Sequence, residues 1–108
     1  MTTEERVAPI SCFKPELGSF NSGSINFAFH DVMEKIESFK YSWEKEYLKK
    51  SESYIFPNNF RMLREFCGVF SQNGTKPELE VYDVGMINNI AYLIRQGHLK
   101  APVYIQFV

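Results

Sequence analysis

Glu78, Glu80 and Tyr82, in Pro77-Glu78-Leu79-Glu80-Val81-Tyr82, have the side chains and the period-two placement that acid–base or substrate-binding work requires. An extended chain sends alternate side chains to opposite faces, so these three share one face while Leu79 and Val81 take the other. Two neighbouring carboxylates raise each other's proton affinity, which is one way a carboxyl becomes an acid or base near neutral pH. A solvated or salt-bridged pair is the other reading of the same spacing, although a barrel interior is one of the few places where inward strand carboxylates make sense. Asn21-Ser22-Gly23-Ser24-Ile25-Asn26 offers small polar side chains and accessible backbone amides, suited to a carboxylate or phosphate and equally to an ordinary turn. His30 and His98 have no second histidine two or four residues on, so each reads as a surface or packing histidine rather than a metal ligand. Cys12 and Cys67 lack Cys-x-x-Cys spacing and read as reduced, semi-buried thiols. No Gly-x-Gly-x-x-Gly, Walker or nucleophile-elbow pattern occurs, which removes nucleotide and serine-hydrolase readings.

Periodicity gives the helices and strands that would carry these side chains. Met1 to Arg6 is polar with acidic residues after hydroxyls, as in the first turn of a helix, but no apolar face continues it past Pro9. A strand is predicted at about residues 15–20, running into the turn-like Asn21-Ser24. Val32, Ile36, Phe39, Trp43 and Tyr47 recur at three or four, predicting one amphipathic helix over residues 31–50. Tyr54-Ile55-Phe56-Pro57 reads as a loop that packs down. Asn58 or Asn59 can cap a helix carrying Phe60, Leu63, Cys67 and Phe70 on one stripe, and Asn73-Gly74 stops it. A further helix from Met86 to Arg95 would turn Ile87, Ile90, Ala91 and Ile94 to the core and end at Gly97. Val103 to Val108 is nearly continuous apolar sequence, the pattern of a parallel strand covered on both faces.

Strand, helix, strand, helix, strand implies an α/β fold with right-handed crossovers and a parallel sheet. With 44% hydrophobic and 16% aromatic content in 108 residues, the chain can bury one modest core. Twelve Lys and Arg against thirteen Asp and Glu leave a net charge of -1, so no field steers it to nucleic acid or an anionic membrane. Residues 1–20 hold no apolar run suited to a signal peptide or membrane span, and a cytoplasmic location is expected.

Two blocks, Lys14-Pro15-Glu16-Leu17-Gly18-Ser19-Phe20-Asn21-Ser22-Gly23-Ser24-Ile25-Asn26-Phe27 and Lys76 through Val108, resemble the β-keto acid cleavage enzymes, typified by 3-keto-5-aminohexanoate cleavage enzyme. In the second block Pro77 through Asp83, Gly85, and Tyr104-Ile105-Gln106-Phe107-Val108 match in order and spacing. The intervening Trp43-Glu44-Lys45-Glu46-Tyr47-Leu48 and Tyr54-Ile55-Phe56 resemble a helical insertion of one branch, and Glu4 through Pro9 resembles the segment before the family's fourth strand. The resemblance implies a partial (β/α)8 TIM barrel over residues 1–108, a fragment comprising about strands 4 to 6 with their intervening helices, and an insertion at about residues 30–57. It also implies a zinc-dependent, retro-Claisen exchange in which a small-molecule β-keto acid and acetyl-CoA, the co-substrate, give acetoacetate and a new CoA thioester. Carried over by position, Ser19 falls on the family's substrate-binding Thr or Ser, Asn21 lines the same strand mouth, and Glu80 falls on its pocket glutamate, with Glu78 a weaker candidate.

By the same resemblance the family's His-x-His zinc pair belongs before this chain's first residue and its third ligand after the last. No metal ligand and no complete catalytic set are therefore assigned here. The chain is expected to be an inactive fragment of a homo-oligomeric enzyme. The alternative is a non-catalytic remnant that self-associates through unblunted strand edges.

Overall fold

The computed structural model describes residues 2–108. The chain forms two compact units, one from Met1–Gly23 with Asn58–Val108 and one from Ser24–Pro57.

In the first unit, α1 spans Thr3–Phe13. A capping box starts it: the Glu5 N–H donates to the Thr2 hydroxyl at 3.2 Å and the Thr2 N–H to the Glu5 carboxylate at 2.7 Å. The acidic first turn was legible, but the helix continues through Pro9, which removes one intrahelical donor without ending it. Val7 is its one buried residue, which explains why the apolar stripe looked absent. Lys14 closes the helix in the left-handed region (φ 46°), its N–H donating to the Ile10 carbonyl at 2.9 Å.

Strand β1 is Leu17–Asn21, so Asn21, expected in the turn, belongs to the strand. Helix α3, Phe60–Asn73, is capped by Asn59, whose side chain accepts from the Met62 N–H at 3.1 Å; it buries Leu63, Phe66, Cys67 and Phe70 and ends at Gly74 (φ 69°). Strand β4 is Lys76–Val81 and helix α4 is Val84–Arg95, capped by Asp83. Gly97 (φ 75°) then turns the chain towards β5, Tyr104–Phe107. The sheet is parallel throughout, in the order β1-β4-β5.

On one face of the sheet lies the core. Phe20 meets Phe66 and Phe70 edge-on, with ring centroids 6.1 and 5.6 Å apart, and Leu79 at the centre of β4 is fully enclosed. Helix α4 departs from the expected stripe: Met86, Ile90 and Leu93 are buried, whereas Ile87 is 41% exposed and Ala91 and Ile94 are half-buried. Apolar residues surround this helix, so periodicity alone leaves its rotation open. The rotation is set where the helix leaves β4, with Asp83 holding the first turn and the Met86 sulfur accepting from the Tyr82 N–H at 3.4 Å. Strand β5 is also not covered as its composition predicted; all four residues are exposed, and its one hydrogen-bonded neighbour among the described residues is β4.

The second unit corrects the single helix expected over residues 31–50. A 3-10 helix occupies His30–Lys35, Ile36 is extended, and α2 begins anew at Ser42 and runs to Lys50. The break lies where Ser38 to Ser42 supplies weak helix formers, and Glu44 reaches back to accept the Tyr41 N–H at 2.8 Å, which starts a fresh helix. The expected loop at Tyr54–Pro57 contains β3, Ile55–Phe56, paired antiparallel with β2, Ile25–Asn26. Buried Ser51 fastens this unit, accepting from the Phe29 N–H at 2.8 Å and donating to the Leu48 carbonyl at 2.6 Å. His30 Nε2 lies 3.2 Å from Asp31 and 3.9 Å from Glu52.

Candidate active-site face

The sheet face opposite the core collects the residues singled out in the sequence. Parallel register places Ser19 beside Glu78 and Asn21 beside Glu80, and β5 extends the rows with Tyr104 beside Glu78 and Gln106 beside Glu80. Two polar rows therefore cross three strands, Ser19-Glu78-Tyr104 and Asn21-Glu80-Gln106, with Tyr82 one step beyond Glu80 towards the carboxyl end of β4. In parallel α/β folds that end is where ligand sites assemble. Glu78, Glu80 and Asn21 are half-buried, and Ser19, Tyr82, Tyr104 and Gln106 are exposed.

Each glutamate has its own hydroxyl. Ser19 Oγ donates to Glu78 Oε2 at 3.4 Å, tying β1 to β4, and the Tyr82 hydroxyl donates to Glu80 Oε2 at 3.3 Å. Both are long for O–H···O contacts, which cluster near about 2.7–2.8 Å, so each biases its carboxylate without fixing it. Tyr82 ionises above the ordinary tyrosine range, first because of desolvation, then because of the Glu80 charge and the hydrogen bond to it. A phenol that keeps its proton remains a donor to Glu80 across the physiological range.

Asn21 is held in place through Ser22 and Gly23, its successors in the chain. The Ser22 N–H donates to the Glu80 carbonyl at 3.1 Å, continuing the ladder; Asn89 Nδ2 donates to the Ser22 carbonyl at 2.9 Å, and Asn58 Nδ2 to the Gly23 carbonyl at 3.1 Å. Gly23 is required by close approach, because a Cβ there would stand 2.8 Å from Asn89 Nδ2 and 3.1 Å from Met86 Cγ. Asn58, itself buried, accepts from the Arg6 guanidinium at 2.6 Å, and that guanidinium lies 5.0 Å over the Phe66 ring. Burial lowers the Arg6 pKa. Helix α1, the start of α3 and the end of β1 are thereby braced together beneath Asn21. The Ser22 side chain is fully buried and its Oγ has no hydrogen-bond partner among the described residues.

Tyr104 and Gln106 were missed in the sequence as site residues, although the alternation of Val103–Val108 already placed them together. No local pattern announced Arg6, Asn58 or Asn89 as supports, because their partners are distant in the chain. Cys12 is exposed rather than semi-buried, while Cys67 is buried and its thiol is pushed up to about 11 by desolvation.

Among the described residues no group of three or more His, Cys, Asp or Glu side chains is arranged to hold a metal ion. Glu78 and Glu80 share a face but bring no imidazole or third carboxylate with them, so this face does not fit a zinc centre of the three- or four-ligand kind. No helix among the described residues is long and apolar enough to cross a membrane.

A family model for the beta-keto acid cleavage enzymes matches residues 1–108. The chain belongs to that family. It is 35% identical over 108 residues to the 3,5-dioxohexanoate:acetyl-CoA acetone transferase of Paraburkholderia graminis, covering 100% of this chain and 35% of that protein. To the 3-keto-5-aminohexanoate cleavage enzyme of Acetoanaerobium sticklandii it is 32% identical over 108 residues, covering 100% of this chain and 31% of that one. To the 3-dehydrocarnitine:acetyl-CoA trimethylamine transferase of Rhizobium meliloti it is 28% identical over 102 residues, 94% of this chain and 27% of the relative. The chain thus spans about a third of the length of the curated relatives it matches, and the resemblance seen in the two sequence blocks is borne out. A beta-keto acid cleavage enzyme segment with a parallel α/β sheet is what the fold and the match together establish.

Proposed function

We propose that this chain forms the wall of a β-keto acid pocket in an enzyme that exchanges acyl groups between a β-keto acid and acetyl-CoA, giving acetoacetate and a new CoA thioester. In this reading β1, β4 and β5 are about strands 4 to 6 of a (β/α)8 barrel, residues 1–108 are one partial domain of it, and Ser24–Pro57 contains the insertion expected at about 30–57. Ser19, Asn21 and Glu80 bind the polar end of the substrate. The observation that carries the reading is the register of Asn21 with Glu80 at the strand mouth, on a chain matched throughout by the family. Asn21 can donate to a keto or carboxylate oxygen, Ser19 can accept while its proton is directed to Glu78, and Glu80 accepts only and so takes an N–H or O–H of the substrate, which together fix its orientation.

The resemblance assigns zinc the polarisation of the keto and carboxylate oxygens. The described residues do not fit that ion, and their part in the reaction is confined to binding and orienting. The chain alone is accordingly inactive in this reading.

The test is a chimera in which this chain replaces the matching third of the Paraburkholderia graminis transferase. Thioester exchange should persist, and Glu80→Gln should lower kcat/KM by roughly ten- to a hundredfold, the range of a lost hydrogen bond to a charged group. A folded chimera that turns over equally well with Glu80→Gln would overturn the assignment.

A second reading, a non-catalytic module that associates with a copy of itself, is favoured by the exposure of β5, where Phe107 is 73% and Val108 62% exposed beside Val84 at 81%. Sedimentation of the purified chain separates them, because a defined dimer dissociated by a Phe107→Lys substitution supports the module and a monomer excludes it.

A further inference from the structure

Glu78 and Glu80 are two residues apart on one strand face, yet their surroundings differ in a way that assigns them different tasks. Glu78 lies one row deeper, and its hydroxyl partner, Ser19, belongs to the adjacent strand, so that contact bridges β1 and β4. Glu80 lies in the row nearest the carboxyl end of the sheet, and its hydroxyl partner, Tyr82, stands two residues on, just past the end of β4. A contact between two residues so close in the chain adds nothing to strand pairing. What it changes is the direction of the carboxylate. The long Glu80 side chain has three rotatable bonds, and an undirected carboxylate on a half-buried face would sample several rotamers.

We propose that Tyr82 is a positioning residue: its hydroxyl draws the Glu80 carboxylate towards the mouth of the sheet, beside Asn21, while Glu78 is left to Ser19 and the strand pair. This rests on the reading of Glu80 as the substrate-contacting glutamate, but its geometry is measurable without turnover. The elevated phenol pKa accords with it, since the Glu80 charge is among its causes. The hydroxyl is what matters, because nothing else about a ring that is 41% exposed and lies outside the buried core requires an oxygen there.

The experiment uses the 108-residue chain with its tyrosines and glutamates 13C-labelled. The Tyr82 resonance is assigned by its loss in Tyr82→Phe. Two readouts are taken, the Hα–Hβ couplings of Glu80 and the pH midpoint of the Tyr82 ring carbon bearing oxygen. Tyr82→Phe should move the Glu80 couplings towards rotamer averages while leaving those of Glu78 unchanged, and Glu80→Gln should move the Tyr82 midpoint to lower pH while Glu78→Gln does not. Unchanged Glu80 couplings in a folded Tyr82→Phe variant overturn the proposal. So does a Tyr82 midpoint indifferent to Glu80→Gln, or one moved equally by Glu78→Gln, and this second arm stands even where the phenylalanine variant fails to fold. Loss of the acyl-transfer reading would show in the chimera's turnover and leave both readouts standing, so the two failures are distinguishable.

Discussion

Cys67 offers a direct test of the core that positions the site. Its side chain is 3% exposed on the buried stripe of α3, and desolvation pushes its thiol from 9.0 to about 11. Thiol–disulfide exchange needs the thiolate. At pH 8 a thiol of pKa 9 is ionised to about one part in ten and one of pKa 11 to about one part in a thousand, so ionisation alone slows Cys67 by about a hundredfold. Steric enclosure slows it further, because reagent must wait for α3 to open. Cys12 is exposed on α1 and has no such protection. An aromatic disulfide reagent under native conditions should therefore report two phases, and Cys12→Ser should delete the fast one. In denaturant both thiols should react together. A Cys12→Ser chain whose remaining thiol reacts natively at the denatured rate would mean that the enclosure of Cys67 by this core does not persist in solution, and the site geometry would go with it. The same shift predicts alkaline destabilisation: the folded pKa lies above the unfolded one, so the contribution is intact below pH 9 and is lost as pH rises towards 11, measurable as a falling urea midpoint.

Gly23→Ala should destabilise the first unit by about 1–3 kcal/mol in urea titrations, since its Cβ would force Asn89 off the Ser22 carbonyl; a change within about 0.3 kcal/mol would mean the end of β1 is not held as described. Lys14→Gly should raise stability by up to about 1 kcal/mol, because Lys14 is the non-glycine residue with positive φ among the described residues, and thermal melting reads the gain. The purified chain supplied with zinc, a β-keto acid and acetyl-CoA should form no acetoacetate. Turnover by it would contradict the assignment of these residues to binding alone.

Strand alternation and helix caps were legible because their physics is local. Glu78 and Glu80 fell on one face of β4 with Tyr82 just past its end, and Asn59, Gly74 and Gly97 marked boundaries, because each depends on residues within a few positions. The misplaced features share a different cause. Periodicity extended one helix through residues 31–50 because spacing carries no record of the break at Ile36, and it rotated α4 wrongly because apolar residues nearly encircle that helix. Strand β3 is two residues long, and only its pairing with β2 distinguishes it from a loop. Covering of β5 could not be read from composition at all, since an apolar run records what a strand tolerates and not which neighbours stand beside it.

The polar face poses the same problem from the other side. Half-burying two carboxylates on a central strand is unfavourable unless something offsets it, and the contacts available, at 3.3 and 3.4 Å, are too long to do so strongly. Burial of Leu79, Val81 and Phe20 on the opposite face supplies the stabilisation that lets β4 carry them. Polar and apolar side chains are thus divided between the two faces of one strand at intervals of a single residue. A one-residue slip in register would exchange them, turning Glu78 and Glu80 into the phenylalanine-lined core. The brace of Arg6, Asn58 and Gly23 bears on that register, because it fixes the end of β1 against which the Asn21–Glu80 row is aligned. Its role is therefore positional as well as structural: Asn58→Ala should disturb the Asn21 and Glu80 amide resonances before it unfolds the unit, whereas a loss of stability with those resonances unmoved would mean the row is set by the strands alone.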